Sequence, residues 1–218
     1  MKTLTCTLAK FSIALLLFIT QAYAQSDNIV MTTKSMTSTN ELADMMRFYD
    51  MDYYDVQFKG SDLKGKDYSV TVKEIWNGKI KNIDTIFTSA TGEMAFLGKI
   101  KADTLSFRIA AAKKGNKTLK INFYFDRFGL SKEYKCTKSN DYSLRDTGTR
   151  LPIKANQPFY AFAYILPYKL KSGGSSWCAV DSSNKDIEKW GTEFGIKHYL
   201  LIEMNFTDAK VPTQVSKN

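Results

Sequence analysis

The sequence predicts a mainly β domain: an antiparallel β-sandwich or partly closed barrel with one or two short helices. Three observations point there. The runs Leu105-Ser106-Phe107-Arg108-Ile109 and Leu119-Lys120-Ile121-Asn122-Phe123-Tyr124-Phe125 alternate strictly between apolar and polar residues, the two-residue period of a strand with one buried face. Asn77-Gly78, the strongest two-residue hairpin signal, separates two further apolar runs. Roughly nine short strand-like segments follow one another with few helical patterns between them. An α+β sheet with one helix packed on a face is the alternative arrangement.

Residues 1–24 read as a secretory signal. Lys2 and Lys10 precede the apolar run from Phe11 to Ile19, and Ala22-Tyr23-Ala24 supplies the small-x-small pattern of a cleavage site. The apolar run is well short of the roughly 20 residues that span a bilayer. An exported protein is expected, periplasmic or extracellular, with no transmembrane segment after cleavage. Residues 25–39 are rich in Ser, Thr, Met and Asn without a sustained period and read as a flexible lead. A single strand-rich domain over residues 40–206 and a polar, disordered tail over residues 207–218 complete the organisation.

Within the domain, Thr39 or Asn40 caps a short helix from Glu41 to Tyr49, with Leu42, Met45, Met46 and Tyr49 on one stripe. Tyr54, Val56 and Phe58 begin the strands. Tyr68, Val70 and Val72 open the strand that reaches Trp76 and turns at Asn77-Gly78. The return strand, with Ile80, Ile83, Ile86 and Phe87, changes phase and so implies a bulge. The segment from Glu93 to Ile100 reads as a further short strand. The central hairpin turns at Lys113-Lys114-Gly115-Asn116-Lys117, and Lys132 to Cys136 follows as another strand. Phe159 to Tyr168 is apolar on both faces, as in a strand covered on both sides. Ser182-Ser183-Asn184 caps a helix through Trp190 that Gly195 ends, and the last strand runs from Ile196 to Phe206.

The composition, 44% hydrophobic and 13% aromatic, is that of a globular domain. The formal net charge is +9, or +7 once Lys2 and Lys10 leave with the signal. The basic residues are scattered among acids, the pattern of a solvated surface, and no nucleic-acid recognition motif is present. Nucleic acid is therefore not an expected partner. Cys136 and Cys178 remain after cleavage. An even pair in an exported chain suits a disulfide, and two buried thiols are the alternative.

The sequence marks no catalytic set. His198, the single histidine, alternates in phase with Ile196, Leu200, Ile202, Met204 and Phe206, which suits a satisfied core residue better than a general base. No zinc-ligand spacing, phosphate loop or dinucleotide fingerprint occurs, so no metal or cofactor is expected. Asp50, Asp52 and Asp55 depart from the spacing of a calcium loop. Two places suit a ligand. Tyr53 and Tyr54, in the acidic aromatic run from Tyr49 to Asp55, have the ring faces and neighbouring oxygens that a sugar surface uses, with burial in the core as the competing reading. On the polar face of the central hairpin, Arg108, Lys120, Asn122 and Tyr124 stand side by side if the register holds.

Phe58-Lys59-Gly60-Ser61-Asp62-Leu63-Lys64-Gly65-Lys66-Asp67-Tyr68, then Lys73-Glu74-Ile75-Trp76-Asn77-Gly78-Lys79, and later Lys185-Asp186-Ile187-Glu188-Lys189-Trp190-Gly191 leading to Phe194-Gly195-Ile196-Lys197-His198-Tyr199 together resemble a family of small exported proteins of gut Bacteroidetes. The resemblance implies a cell-envelope context and carries no activity or site residue. The expectation is a non-enzymatic binding or interaction module of the envelope, with a glycan or an envelope protein as partner. A hydrolase whose carboxylates meet only in the fold, and a structural partner of an envelope complex, are the alternatives.

Overall fold

The structure, a computed structural model, describes residues 28–35, 39–92, 95–177 and 186–208. The signal segment, Ser182-Ser183-Asn184, Cys178 and the tail after Asp208 lie outside the described residues. The first elements along the chain are β1 (Val30–Ser35), α1 (Asn40–Phe48), β2 (Met51–Lys59), β3 (Asp67–Trp76), β4 (Lys79–Thr88), β5 (Thr104–Lys114) and β6 (Thr118–Phe125). They continue with β7 (Gly129–Lys135), β8 (Ser143–Arg145), β9 (Phe159–Ile165), β10 (Tyr168–Lys169), β11 (Ser175–Ser176), α2 (Trp190–Glu193) and β12 (His198–Thr207).

Two five-stranded sheets form the body, in the orders β1-β2-β5-β6-β7 and β4-β3-β12-β9-β8, and all their pairings are antiparallel. The sheets face one another as a mainly β, sandwich-like fold, without closure into a barrel. The central hairpin is β5 and β6, and β5 is the middle strand of its sheet. Apolar residues that alternate along each strand point between the layers and meet across them as rings. Phe58 on β2 packs against Phe206 on β12 and Phe159 on β9, with centroids 5.2 and 5.8 Å apart. Such ring pairs add about 0.5–1.5 kcal/mol each beyond the area they bury.

Both flanks of the sandwich are tied. On one, Ile29 bridges Ile153 and the Thr33 hydroxyl donates to Asp146 at 2.6 Å. On the other, Tyr134 and Lys132 of β7 both reach Asp84 of β4, each at 3.2 Å. These ties hold the layers in one relative position and so fix which faces remain outside.

The flexible lead expected over residues 25–39 is corrected for residues 30–35, which form β1. Only Met31 is buried in this edge strand, so the alternation is too weak to stand out among Thr, Lys and Ser. The strand expected from Glu93 to Ile100 is corrected as well. Ala95–Leu97 is a single 3₁₀ turn, closed by the Gly98 N–H donating to the Ala95 carbonyl. Helix α1 forms where expected, with the Thr39 hydroxyl accepting from the Leu42 N–H. Its stripe is only partly used: Met46 is buried, whereas Met45 and Tyr49 remain 58% and 61% exposed. Asn77 and Gly78 take φ of 51° and 72°, the left-handed pair that a two-residue hairpin requires. The pairing of β3 with β4 shifts register at two places, in keeping with the phase change read from the sequence. Asp186 caps the turn of Ile187–Lys189 that leads into α2, its carboxylate accepting from the Glu188 N–H.

Candidate functional site

Because side chains alternate along a strand, the register of the first sheet decides which residues share its outer face. Tyr54, Val56 and Phe58 of β2 pair with Ile109, Phe107 and Leu105 of β5 on the inner face. The intervening residues must then lie outside. Asp55 pairs with Arg108 and Arg108 with Tyr124, so these three form one row across β2, β5 and β6, with Lys34 of β1 beside Asp55. The next row runs Tyr53, Ala110, Asn122, and the one after it Met51, Ala112, Lys120.

Five of the six residues proposed from sequence as ligand contacts therefore share one face: Tyr53, Arg108, Lys120, Asn122 and Tyr124. Tyr54 does not. Its ring faces Phe162 across the layers at 6.0 Å, and its hydroxyl donates to the Leu144 carbonyl at 3.2 Å. Cys136 is buried and in no disulfide among the described residues, and burial raises its thiol pKa. Its proposed partner, Cys178, lies outside the described residues.

The centre of the face is Arg108 over Tyr124, the guanidinium carbon 5.7 Å from the ring centroid. Arg108 is exposed and Tyr124 keeps 38% of its surface in solvent. Opposite Tyr124 stands Gly129 on β7, and a side chain there would come within 3.7 Å of the ring. The glycine leaves that flank of the ring clear. A cleft of about 480 Å³ runs over this region, lined by Thr32, Lys34, Asp55, Gln57, Ser106, Arg108, Tyr124 and Asp126. Lys34, Gln57, Ser106 and Asp126 were not singled out from sequence, and Asp55 was named only within the acidic aromatic run. The alternation of β2 holds the signal for Asp55 and Gln57, since the phase that buries Val56 and Phe58 turns them outward.

Two other polar clusters have a different character. Lys73 of β3 donates to Tyr160 at 2.6 Å and to Glu188 at 2.9 Å, and pairs with Glu203 at 2.9 Å. Tyr160 also donates to Glu188. Burial works against the Lys73 charge, but these partners outweigh it and hold the ammonium pKa above the usual range. The cluster fastens the Ile187–Lys189 turn onto the outer face of the second sheet. His198 lies wholly inside the sandwich, with Nδ1 2.7 Å from the Tyr142 hydroxyl and its ring 4.1 Å from that of Trp76. Its Nε2 is 3.7 Å from Glu74 and has no hydrogen-bond partner among the described residues. Burial lowers its pKa to about 4, so the ring is neutral at pH 7. Asp52, on the inward phase of β2, accepts from the Leu144 N–H at 2.8 Å. Burial raises its pKa to about 6 against the pull of that N–H and of Arg145.

Among the described residues no three His, Cys, Asp or Glu side chains are grouped as a metal would need, and no helix is long and apolar enough to cross a membrane. The outer face of the first sheet is the place where a cation, an exposed ring, amides, hydroxyls and carboxylates converge on a cleft. Such a surface can stack on an apolar ring face while hydrogen-bonding hydroxyl or anionic groups at its edge. Comparison with protein-family models, curated proteins and solved structures finds no match.

Proposed function

We propose that this protein is a non-enzymatic, exported binding module of the cell envelope, and that it holds a glycan on the outer face of its first sheet. One observation carries the reading: Arg108 and Tyr124 sit side by side and solvent-exposed over a cleft whose other walls are Asp55, Gln57, Ser106 and Asp126. A tyrosine ring offers a flat apolar face to sugar C–H groups, and the surrounding side chains supply both donors and acceptors for hydroxyls. Rigid strands hold them, so little ordering is needed on binding. The signal-like N-terminus and the resemblance to exported Bacteroidetes proteins support the envelope setting.

Retardation in native gels containing envelope or dietary polysaccharides tests the reading. At least one polysaccharide is expected to retard the protein, and Tyr124→Ala should abolish the retardation. No retardation by any of them would overturn the glycan assignment. A hydrolase remains the second reading because Asp55 and Asp126 line the same cleft. Release of new reducing ends from a retarding polysaccharide would favour it, and their absence would favour simple binding.

A further inference from the structure

The cleft over Arg108 does not end at Ser106. A second cleft of about 400 Å³ continues past Thr104 and shares Ser106, Phe125 and Asp126 with the first. Lys34 and Arg108 line one part of this groove; Lys99, Lys101 and Arg127 line the other. Among the described residues, the acids lining it are Asp55 and Asp126. None of the five cations forms an ion pair with a described residue. On most of a protein surface scattered lysines mean little, but here five cations without an acid partner among the described residues follow one groove with an exposed tyrosine at its centre.

We infer that the groove takes an acidic polysaccharide, one carrying carboxylate or sulfate groups; this rests on the glycan-binding reading above. Arg108 is the specific element. Its planar fork suits bidentate contact with a carboxylate or sulfate, and the Tyr124 ring beneath it holds the fork in place. Charge complementarity selects the acidic polymer, because a neutral chain leaves the five cations without partners. The two carboxylates select a sugar over a nucleic-acid strand. They accept from hydroxyls, which every sugar residue presents and the phosphodiester backbone of DNA lacks. A nucleic-acid groove would also be expected to offer successive stacking rings, whereas this one offers Tyr124 as its exposed ring.

Affinity measured by calorimetry against polygalacturonate, chondroitin sulfate, neutral glucan and xylan, and a single-stranded DNA oligomer tests the inference. An acidic polysaccharide should bind about tenfold or more tightly than the neutral ones, and should weaken about tenfold as salt rises from about 50 to about 300 mM. Arg108→Ala should remove the preference and Arg108→Lys should restore only part of it. Lys81→Gln on the exposed strand β4, which changes the net charge equally, should leave it intact. Equal binding of neutral and acidic chains would overturn the charge inference and leave the binding-module reading standing. Equal losses in Arg108→Ala and Lys81→Gln, or DNA binding as tight as the acidic glycan, would overturn it as non-specific charge attraction. Failure of every glycan to bind would overturn both readings.

Discussion

Arg108 and Tyr124 occupy directly paired positions on β5 and β6, and the guanidinium lies over the ring with its carbon 5.7 Å from the centroid. Both face solvent, so the contact holds a surface in shape and adds little to folding. An exposed cation–π pair contributes about 0.5–1 kcal/mol. Tyr124→Ala and Arg108→Ala are therefore expected to lower stability by no more than about 1 kcal/mol in urea unfolding. Larger losses would mean that the pair supports the fold, and binding defects in these variants could not then be read as lost contacts.

Asp52 and His198 give stability opposite pH dependences. Burial raises Asp52 from 3.8 to about 6. Between those values the folded protein keeps a proton that the unfolded chain has released, so this group makes stability fall as pH rises. Burial lowers His198 from 6.5 to about 4. In that window the unfolded chain takes up a proton that the folded protein refuses, so stability falls as pH drops. The two slopes offset one another between about pH 4 and 6. Asp52→Asn exposes the histidine slope and should lose about 2–3 kcal/mol of stability between pH 6.5 and 4. His198→Gln should show the reverse slope. Urea midpoints across that range check both, and curves parallel to the parent protein would contradict the assignment.

Lys73 neutralises Glu188 and Glu203 in a partly buried setting, its side chain 16% exposed. Lys73→Met leaves Glu188 and Glu203 without the cation they share and should cost about 2–3 kcal/mol. Lys73→Arg should recover part of this. Chemical denaturation measures both, and a loss under about 0.5 kcal/mol would show the cluster to be a solvated surface group.

Gly191 touches the β3–β4 turn so closely that a methyl group would lie 2.5 Å from the Gly78 nitrogen and 2.6 Å from its Cα. The obstacle is backbone, which cannot rotate away. Gly191→Ala should cost about 1–3 kcal/mol. Gly195, with φ of 65° and open space around it, should tolerate Asn, which enters the left-handed region more readily than other residues. Thermal unfolding of the two variants gives the comparison, and equal effects would contradict it.

Much of the fold was legible because the long strands alternate. The central hairpin, β2, β3 and β12 each carry enough inward apolar residues to show a period, and β9 shows as an unbroken apolar run. What stayed hidden had a physical reason. β1 is an edge strand of polar and β-branched residues, and β8 spans three residues, too few to show a period. The hairpin half of the candidate site was also legible, since alternation and a short turn place Arg108 beside Tyr124. Lys34, Asp55 and Gln57 join it only through the pairing of β1 with β2 and of β2 with β5, contacts between segments distant in sequence. Tyr54 was recoverable, because it alternates in phase with Val56 and Phe58 and so turns inward.

The most direct test of the binding face is a titration of isotope-labelled protein with a retarding polysaccharide, followed by amide and side-chain NMR shifts. Perturbations are expected at Tyr53, Asp55, Arg108, Asn122 and Tyr124, one outer face of one sheet, with β12 and the Lys73 cluster unmoved. Shifts confined to the second sheet or to the loops around Ile153 would contradict the account.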